Sequence, residues 1–294
     1  DTHFVGIQNL GADFRYDEER GIYEITADRL QGSYMLLDEA SVTGTANIVM
    51  AAVLAKGTTI LENCACEPEV QWLCRFLRKG GAKIKETKNR MIEIEGIKSL
   101  HAVEYEVPPD RIVAGTYLCA SAITRSNICL VGALKDEMKA ILSLYQKMGG
   151  QYEWIGGKLS LCSQEVNVPV LCQKTEVYPG FPTDLQSPVL AVLSGIKGKS
   201  CLIETIFENR FRVAGELKKM GANIRIDGAK AEIYGGKLHG AEVEAQELRG
   251  GAALVLAGLA AKGVTTVKNI EYIERGYEDI CRDLSQLGAV MERK

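Results

Sequence analysis

Five times along this 294-residue chain, a helix-like run ends in a Gly-Ala-type step and turns into a short strand. The copies are Leu10-Gly11-Ala12-Asp13-Phe14, Gly80-Gly81-Ala82-Lys83-Ile84, Met148-Gly149-Gly150-Gln151-Tyr152, Met220-Gly221-Ala222-Asn223-Ile224 and Leu287-Gly288-Ala289-Val290-Met291. Their second residues lie at 11, 81, 149, 221 and 288, so successive copies are 70, 68, 72 and 67 residues apart. So steady a period means a repeated supersecondary unit whose copies bury one another's apolar faces.

A second pattern keeps the same period. Apolar helical runs close at Gly57, Ser126, Gly198 and Gly263, and each is followed by a β-rich run such as Thr58-Thr59-Ile60-Leu61 or Val264-Thr265-Thr266-Val267. Glycine accepts the left-handed conformation that ends a helix, and β-branched residues suit a pleated, half-buried surface. Each unit therefore reads helix, strand, loop, helix, Gly-Ala step, strand, turn, strand. Polar turns are expected at 17–21, 87–89, 156–157 and 227–229. The helix before the second step is amphipathic: Val70, Leu73, Cys74 and Leu77 share a face, with Arg75, Arg78 and Lys79 off it. Apolar helix faces must cover sheets, so the fold class is α/β built from βαβ-type units.

The chain starts out of phase, with residues 1–10 reading as the second helix of a unit. Part of one unit, three complete units and a last unit ending after one strand are expected, with a further segment in front of Asp1. Val107-Pro108-Pro109-Asp110 disfavours helix and stiffens the crossing, which puts a domain boundary between 1–108 and 109–294.

Composition excludes several classes. A net charge of −3 without a Lys/Arg cluster gives no nucleic-acid footprint. The longest apolar run, 252–261, is too short to span a bilayer. Nine cysteines, among them Cys119, Cys129, Cys162, Cys172 and Cys201 in apolar segments, read as reduced core thiols of a cytoplasmic protein. Cys64-Ala65-Cys66 with Cys74 lacks a metal-site spacing and a nearby histidine. His3, His101 and His239 are isolated in the sequence.

The repeat register also suggests where chemistry sits. Thr43, Asp184 and Arg249 each stand 14 residues before Gly57, Gly198 and Gly263, and Arg111 stands 15 before Ser126. All four fall where a helix begins. Helix N-termini offer free N–H groups and partial positive charge, so several converging would bind an anion. Phe181-Pro182-Thr183-Asp184-Leu185-Gln186 puts a carboxylate at one such start, and Glu208-Asn209-Arg210-Phe211 puts an arginine in a loop leaving the next strand. Arg275 occupies the corresponding loop of the last unit. Arginine's planar fork suits phosphate and carboxylate. Plainer readings stand beside these: Asp184 and the Ser41-Val42-Thr43-Gly44-Thr45 run as helix caps, Arg210, Arg249 and Arg275 as solvated arginines, and Glu67-Pro68-Glu69 as a helix entry.

The runs from Ser41 to Ala52, Glu67 to Glu69, Phe181 to Gln186, Glu204 to Phe211 and Tyr272 to Glu278 together resemble the UDP-N-acetylglucosamine 1-carboxyvinyltransferases, enolpyruvyl transferases of peptidoglycan synthesis. The resemblance runs the length of the chain, and its Phe-Pro-Thr-Asp and Phe-Glu-Asn-Arg-Phe strings set it apart from the shikimate-pathway relative. It implies a two-domain inside-out α/β barrel, no cofactor, and the small-molecule substrates UDP-N-acetylglucosamine and phosphoenolpyruvate. Six units of ~70 residues imply about 420 residues, so roughly 120 are expected to precede Asp1.

By the same resemblance Asp184 accepts the 3′-hydroxyl proton, and Arg249 and Arg275 clamp phosphoenolpyruvate. Glu247 stands where aspartate is usual, and Arg210 is charged in the same site. Asp1 and Thr2 end a strip that holds uridine, Ser41, Val42 and Thr43 lie near the diphosphate, and Ile206 touches the nucleotide sugar. Departures are Thr43-Gly44 for a usual Gly-Ala, Glu39 for a common lysine and Cys66 for a common arginine. The general-acid cysteine is expected just upstream of Asp1. This chain alone is therefore expected not to turn over and not to be labelled by fosfomycin at any of its cysteines. The alternatives are a non-catalytic nucleotide-sugar-binding remnant and a 3-phosphoshikimate 1-carboxyvinyltransferase.

Overall fold

In a computed structural model that describes residues 2–87 and 89–293, all five Gly-Ala steps turn through a left-handed residue: φ is 89°, 99°, 98°, 87° and 102° at Gly11, Gly81, Gly149, Gly221 and Gly288. The following N–H reaches back across the last turn, as from Ala82 to Leu77 O and from Ala222 to Leu217 O, each at 3.0 Å. This double closure of carbonyls left free at a helix end needs positive φ, which only glycine adopts without strain. The helices at 68–79, 139–147 and 213–219 end this way, and each then feeds a strand.

Two sheets share one design. Tyr34–Leu36, Thr58–Glu62, Met91–Glu95 and Lys83–Thr87 lie side by side in that order, the first pair parallel and the others antiparallel. Gln173–Lys174, Gly198–Ile203, Lys230–Gly235 and Asn223–Asp227 repeat the order and the senses. Asn127–Leu130, Lys158–Cys162 and Gln151–Ile155 form an antiparallel sheet of three, and Glu242–Glu244 pairs with Thr266–Lys268 in parallel.

The chain divides into two compact units. One runs to Pro108 and takes in Val177–Pro179; the other comprises Pro109–Glu176 and Gly180–Lys294. In the first, helices Val42–Ala52 and Pro68–Lys79 cover the four-stranded sheet, and Val70, Cys74 and Leu77 are buried while Arg75 is exposed. In the second, helices Arg111–Thr124, Gln186–Gly195 and Leu248–Ala260 pack on one another. Residues 186–194 and 249–257 are buried throughout. A helix apolar on every side belongs in an interior, and here the helices take the centre with the sheets around them.

Four details depart from the sequence reading. The helices expected to close at Gly57, Gly198 and Gly263 end earlier, at Ala52, Gly195 and Ala260, with Val53, Ile196 and Ala261 as caps, and the positive φ of those glycines serves the turn into the next strand. The helix from Arg111 ends on Arg125, at φ 54°, and not on Ser126; an arginine in a left-handed position gives no sequence signal. Measured to Arg125, the Arg111 offset becomes 14, like the other three. No strand forms at 289–293, where no neighbouring strand offers ladder bonds among the described residues. Cys129 and Cys172 are exposed, because Cys129 falls on an outward position of a short edge strand and Cys172 just before another. Cys64, Cys74, Cys119 and Cys201 are buried, and burial pushes the Cys64 thiol up to about 12. Among the described residues no helix is long and apolar enough to cross a membrane.

Candidate active site

Asp184 lies in the short 3-10 turn Thr183–Leu185 that leads into the central helix Gln186–Gly195. Its side chain caps neither element. Capping is done instead by Asp110, which accepts from Ile112 N at 2.6 Å and Val113 N at 3.1 Å at the start of the neighbouring helix. The Asp184 carboxylate joins two arginines: Arg210 Nη2 donates to Oδ1 at 2.6 Å, and Arg249 Nη2 to Oδ2 at 3.4 Å. The repeat register thus brings together two of its predicted positions, Asp184 and Arg249, with Arg210 from the adjacent loop.

Arg249 is 9% exposed, at the second position of helix Leu248–Ala260. Its Nη1 donates to the Tyr277 hydroxyl at 3.2 Å, and its guanidinium carbon lies 5.6 Å from the Tyr277 ring centre. Burial works against its charge, but Tyr277, Asp184 and Asp110 more than offset that, and its pKa lies above the ordinary arginine value. Arg210 lies 5.4 Å from the Phe207 ring. The Nε donors of both arginines are buried without an acceptor among the described residues. Buried donors normally have partners, so these two are unmet hydrogen-bonding requirements beside the carboxylate.

The loop that carries Arg210 is braced by Glu204, 3% exposed. Its Oε1 accepts from Thr175 Oγ1 at 2.8 Å, Ile206 N at 2.8 Å and Phe207 N at 3.2 Å, and its Oε2 accepts from Thr183 Oγ1 at 2.9 Å. One carboxylate ties the strand before the site, the Arg210 loop and the residue before Asp184 together. Glu204→Ala takes the acceptor from four donors, the Thr175 hydroxyl among them buried, and is expected to destabilise the fold by about 3 kcal/mol, read from the denaturant midpoint. Glu204→Gln is expected to cost under half of that, since its carbonyl can keep three donors and the Thr183 hydroxyl can turn to accept. Beside this loop a cavity of about 800 Å³ is lined by residues 204–212 with Ile226, Gly228 and Ala229. Ile206 is one wall of it.

Other predicted residues stand apart from this cluster. Glu247 is the cap of helix Leu248–Ala260, its carboxylate accepting from Arg249 N at 2.8 Å and from Gly250 N. Arg275 is exposed at the end of helix Glu271–Glu274, where its backbone N–H donates to Ile273 O, and its side chain makes no hydrogen bond or ion pair to any described residue. In the first unit, Ser41 caps helix Val42–Ala52 through Gly44 N at 3.1 Å. Thr2 Oγ1 lies 3.4 Å from Glu39 Oε1, and His3 bridges Thr43 Oγ1 at 3.2 Å and Asn47 Nδ2 at 2.7 Å. Thr2, Ser41 and Thr43 therefore share one corner, with Val42 the first helical residue there. Asp1 lies outside the described residues. His3 is not isolated as its sequence position suggested, because its partners are 40 and 44 residues away.

A profile of the EPSP synthase family, 3-phosphoshikimate 1-carboxyvinyltransferase, matches residues 1–284. Proteins named UDP-N-acetylglucosamine 1-carboxyvinyltransferase are more informative. That of Bacteroides thetaiotaomicron is 44% identical over all of this chain and 70% of its own length, and that of Halothermothrix orenii is 45% identical over 98% and 69%. The chain belongs to the UDP-N-acetylglucosamine 1-carboxyvinyltransferase family. This enolpyruvyl transferase membership agrees with the fold: the enolpyruvyl transferase NikO of Streptomyces tendae superposes with a TM-score of 0.90 at 24% identity, covering all of this chain and 72% of that one. EPSP synthase of Acinetobacter baumannii superposes with 0.74 at 20% identity. The chain spans about 70% of the length of these transferase relatives.

Within the Asp184 cluster, sequence reasoning missed Tyr277, Thr116 and the bracing role of Glu204. Tyr277 and Glu204 lie inside the strings that carry the resemblance, yet nothing local marks their partners, which are up to 161 residues distant.

Proposed function

We propose that this chain carries the base and anion-binding part of an enzyme that transfers the enolpyruvyl group of phosphoenolpyruvate to the 3′-hydroxyl of UDP-N-acetylglucosamine, acting in the cytoplasm. The observation that supports this best is Asp184 shared between Arg210 and Arg249, each with a buried, unfilled Nε donor. The hydroxyl oxygen bonds to C2 of phosphoenolpyruvate while C3 gains a proton, and phosphate then leaves from C2 of the tetrahedral intermediate as C3 gives a proton back, which restores the double bond. Asp184 accepts the proton that the hydroxyl loses, which needs a carboxylate within hydrogen-bond reach. The arginines supply fixed donors for the anionic groups, and such preorganised charge needs no rearrangement as the reaction proceeds. An incoming phosphate or carboxylate competes with Asp184 for those donors and so frees its oxygens for the hydroxyl. Arg275, exposed and unpaired among the described residues, completes the clamp on phosphoenolpyruvate. Ile206 contacts the nucleotide sugar, and the Thr2, Ser41, Val42 and Thr43 corner serves its uridine and diphosphate end, with Asp1 beside it. Glu247 acts here through the backbone, holding the helix turn that presents Arg249.

Phosphate release by the intact protein tests this. Phosphoenolpyruvate with UDP-N-acetylglucosamine is expected to yield phosphate and a heavier nucleotide product, in which an enolpyruvyl group has replaced one hydroxyl hydrogen of the acceptor. Mass spectrometry of the nucleotide reads that gain. Release with shikimate 3-phosphate, and none with the nucleotide sugar, overturns the reading.

A further inference from the structure

We propose that Tyr277 and Thr116 are positioning residues that fix the Arg249 guanidinium through a hydrogen-bond chain running in one direction. Thr116, on helix Arg111–Thr124, and Tyr277, three residues past helix Glu271–Glu274, are 1% and 2% exposed. Thr116 Oγ1 lies 2.9 Å from Ile112 O and 2.7 Å from the Tyr277 hydroxyl, which in turn lies 3.2 Å from Arg249 Nη1.

Each hydroxyl has one hydrogen to give. Ile112 O can only accept, so Thr116 donates to it and must accept from Tyr277. Tyr277, having given its hydrogen to Thr116, presents a lone pair to Arg249. The reverse order would aim the tyrosine hydrogen at an arginine N–H, donor against donor. Arg249 therefore selects the direction, and the chain satisfies both hydroxyls. Burial raises the Tyr277 pKa, so the group remains a phenol and keeps the hydrogen the chain needs.

The chain matters because Arg249's other contact is long. Nη2 to Asp184 is 3.4 Å, against 3.2 Å to Tyr277, and Asp184 is 41% exposed on its side chain. An arginine side chain has many rotamers, and the buried tyrosine holds the one that points at Asp184. Phenylalanine would fill the same space without defining it. The proposal rests on Arg249 serving phosphoenolpyruvate, as proposed above.

Steady-state kinetics of the intact enzyme test the proposal, with thermal unfolding followed in parallel. Tyr277→Phe is expected to lower kcat/KM for phosphoenolpyruvate about tenfold while KM for the nucleotide sugar moves less than about twofold. Thr116→Val, which leaves the Tyr277 hydroxyl free to rotate, is expected to lower it about threefold, and Thr116→Ser to recover most of that loss. In an Arg249→Ala background, Tyr277→Phe is expected to add nothing, because groups acting as one unit are not additive. A lower melting temperature with kcat/KM within about twofold, or a second full loss on top of Arg249→Ala, overturns the proposal and leaves the functional reading intact. Arg249→Ala with unchanged phosphoenolpyruvate kinetics overturns both.

Discussion

Asparagine in place of Asp184 is expected to reduce kcat of the intact enzyme about a thousandfold, in the middle of the range for losing a positioned proton acceptor. A carboxamide cannot take the hydroxyl proton. It also has one oxygen where the carboxylate has two. If that oxygen keeps Arg210, the amide nitrogen faces Arg249 Nη2 across the present 3.4 Å gap, donor against donor. Both the chemistry and the arginine placement are then impaired. Folding is expected to survive, because the Asp184 side chain is 41% exposed and caps no helix. The check is kcat for phosphate release alongside a melting curve. A variant within tenfold of the parent removes Asp184 from the role of base.

Gly235→Ala is expected to be the most damaging single methyl in the second unit. A Cβ there would sit 1.8 Å from Ile196 O and 2.5 Å from Leu193 O. Both are backbone carbonyls at the end of the central helix Gln186–Gly195, so no side chain can swing aside. The strand comes this close because Gly236 N donates to Ser194 O at 2.9 Å, satisfying a carbonyl the helix leaves free. Overpacking against fixed backbone costs about 3 kcal/mol, a fall of roughly 6–12 °C in melting temperature for a unit of this size. Gly236→Ala is the control. Nothing lies within 4 Å of its Cβ, its φ is not positive, and it is expected to cost less than about 1 kcal/mol. Equal losses at the two positions would mean that strand propensity and not the carbonyl contact decides. The first unit repeats the arrangement: a Cβ on Gly96 would meet Ala55 O at 1.7 Å.

The repeat was legible in sequence because its punctuation is backbone chemistry. A helix that closes through positive φ needs glycine, and the glycines at 11, 81, 149, 221 and 288 advertise it. The same logic failed at Arg125, where an arginine holds φ 54° and the apparent terminus slipped to Ser126. Asp184, Arg210 and Arg249 were legible as candidates, since each sits at a repeat position or in a family-like string. Their pairing was only suggested, because the sequence leaves capping open for Asp184 until its side chain is seen to cap neither the turn it lies in nor the helix that follows. Thr116 and Tyr277 were out of reach. A buried threonine in an apolar helix looks like packing, and its partner is 161 residues on. Glu247 shows the converse: matched to a site position, it spends both oxygens on the helix start.

Counted back from the positive-φ residues Arg125, Gly198 and Gly263, Arg111, Asp184 and Arg249 each stand 14 residues upstream in three copies of a single motif. Had the copies kept one side chain there, nothing in the repeat would tell one helix start from another, and a guest could settle against any of them. A cation, an anion and a second cation remove that ambiguity. Unequal charges give the repeat a front and a back, so the hydroxyl of one substrate and the phosphate of the other are expected to meet different copies of it.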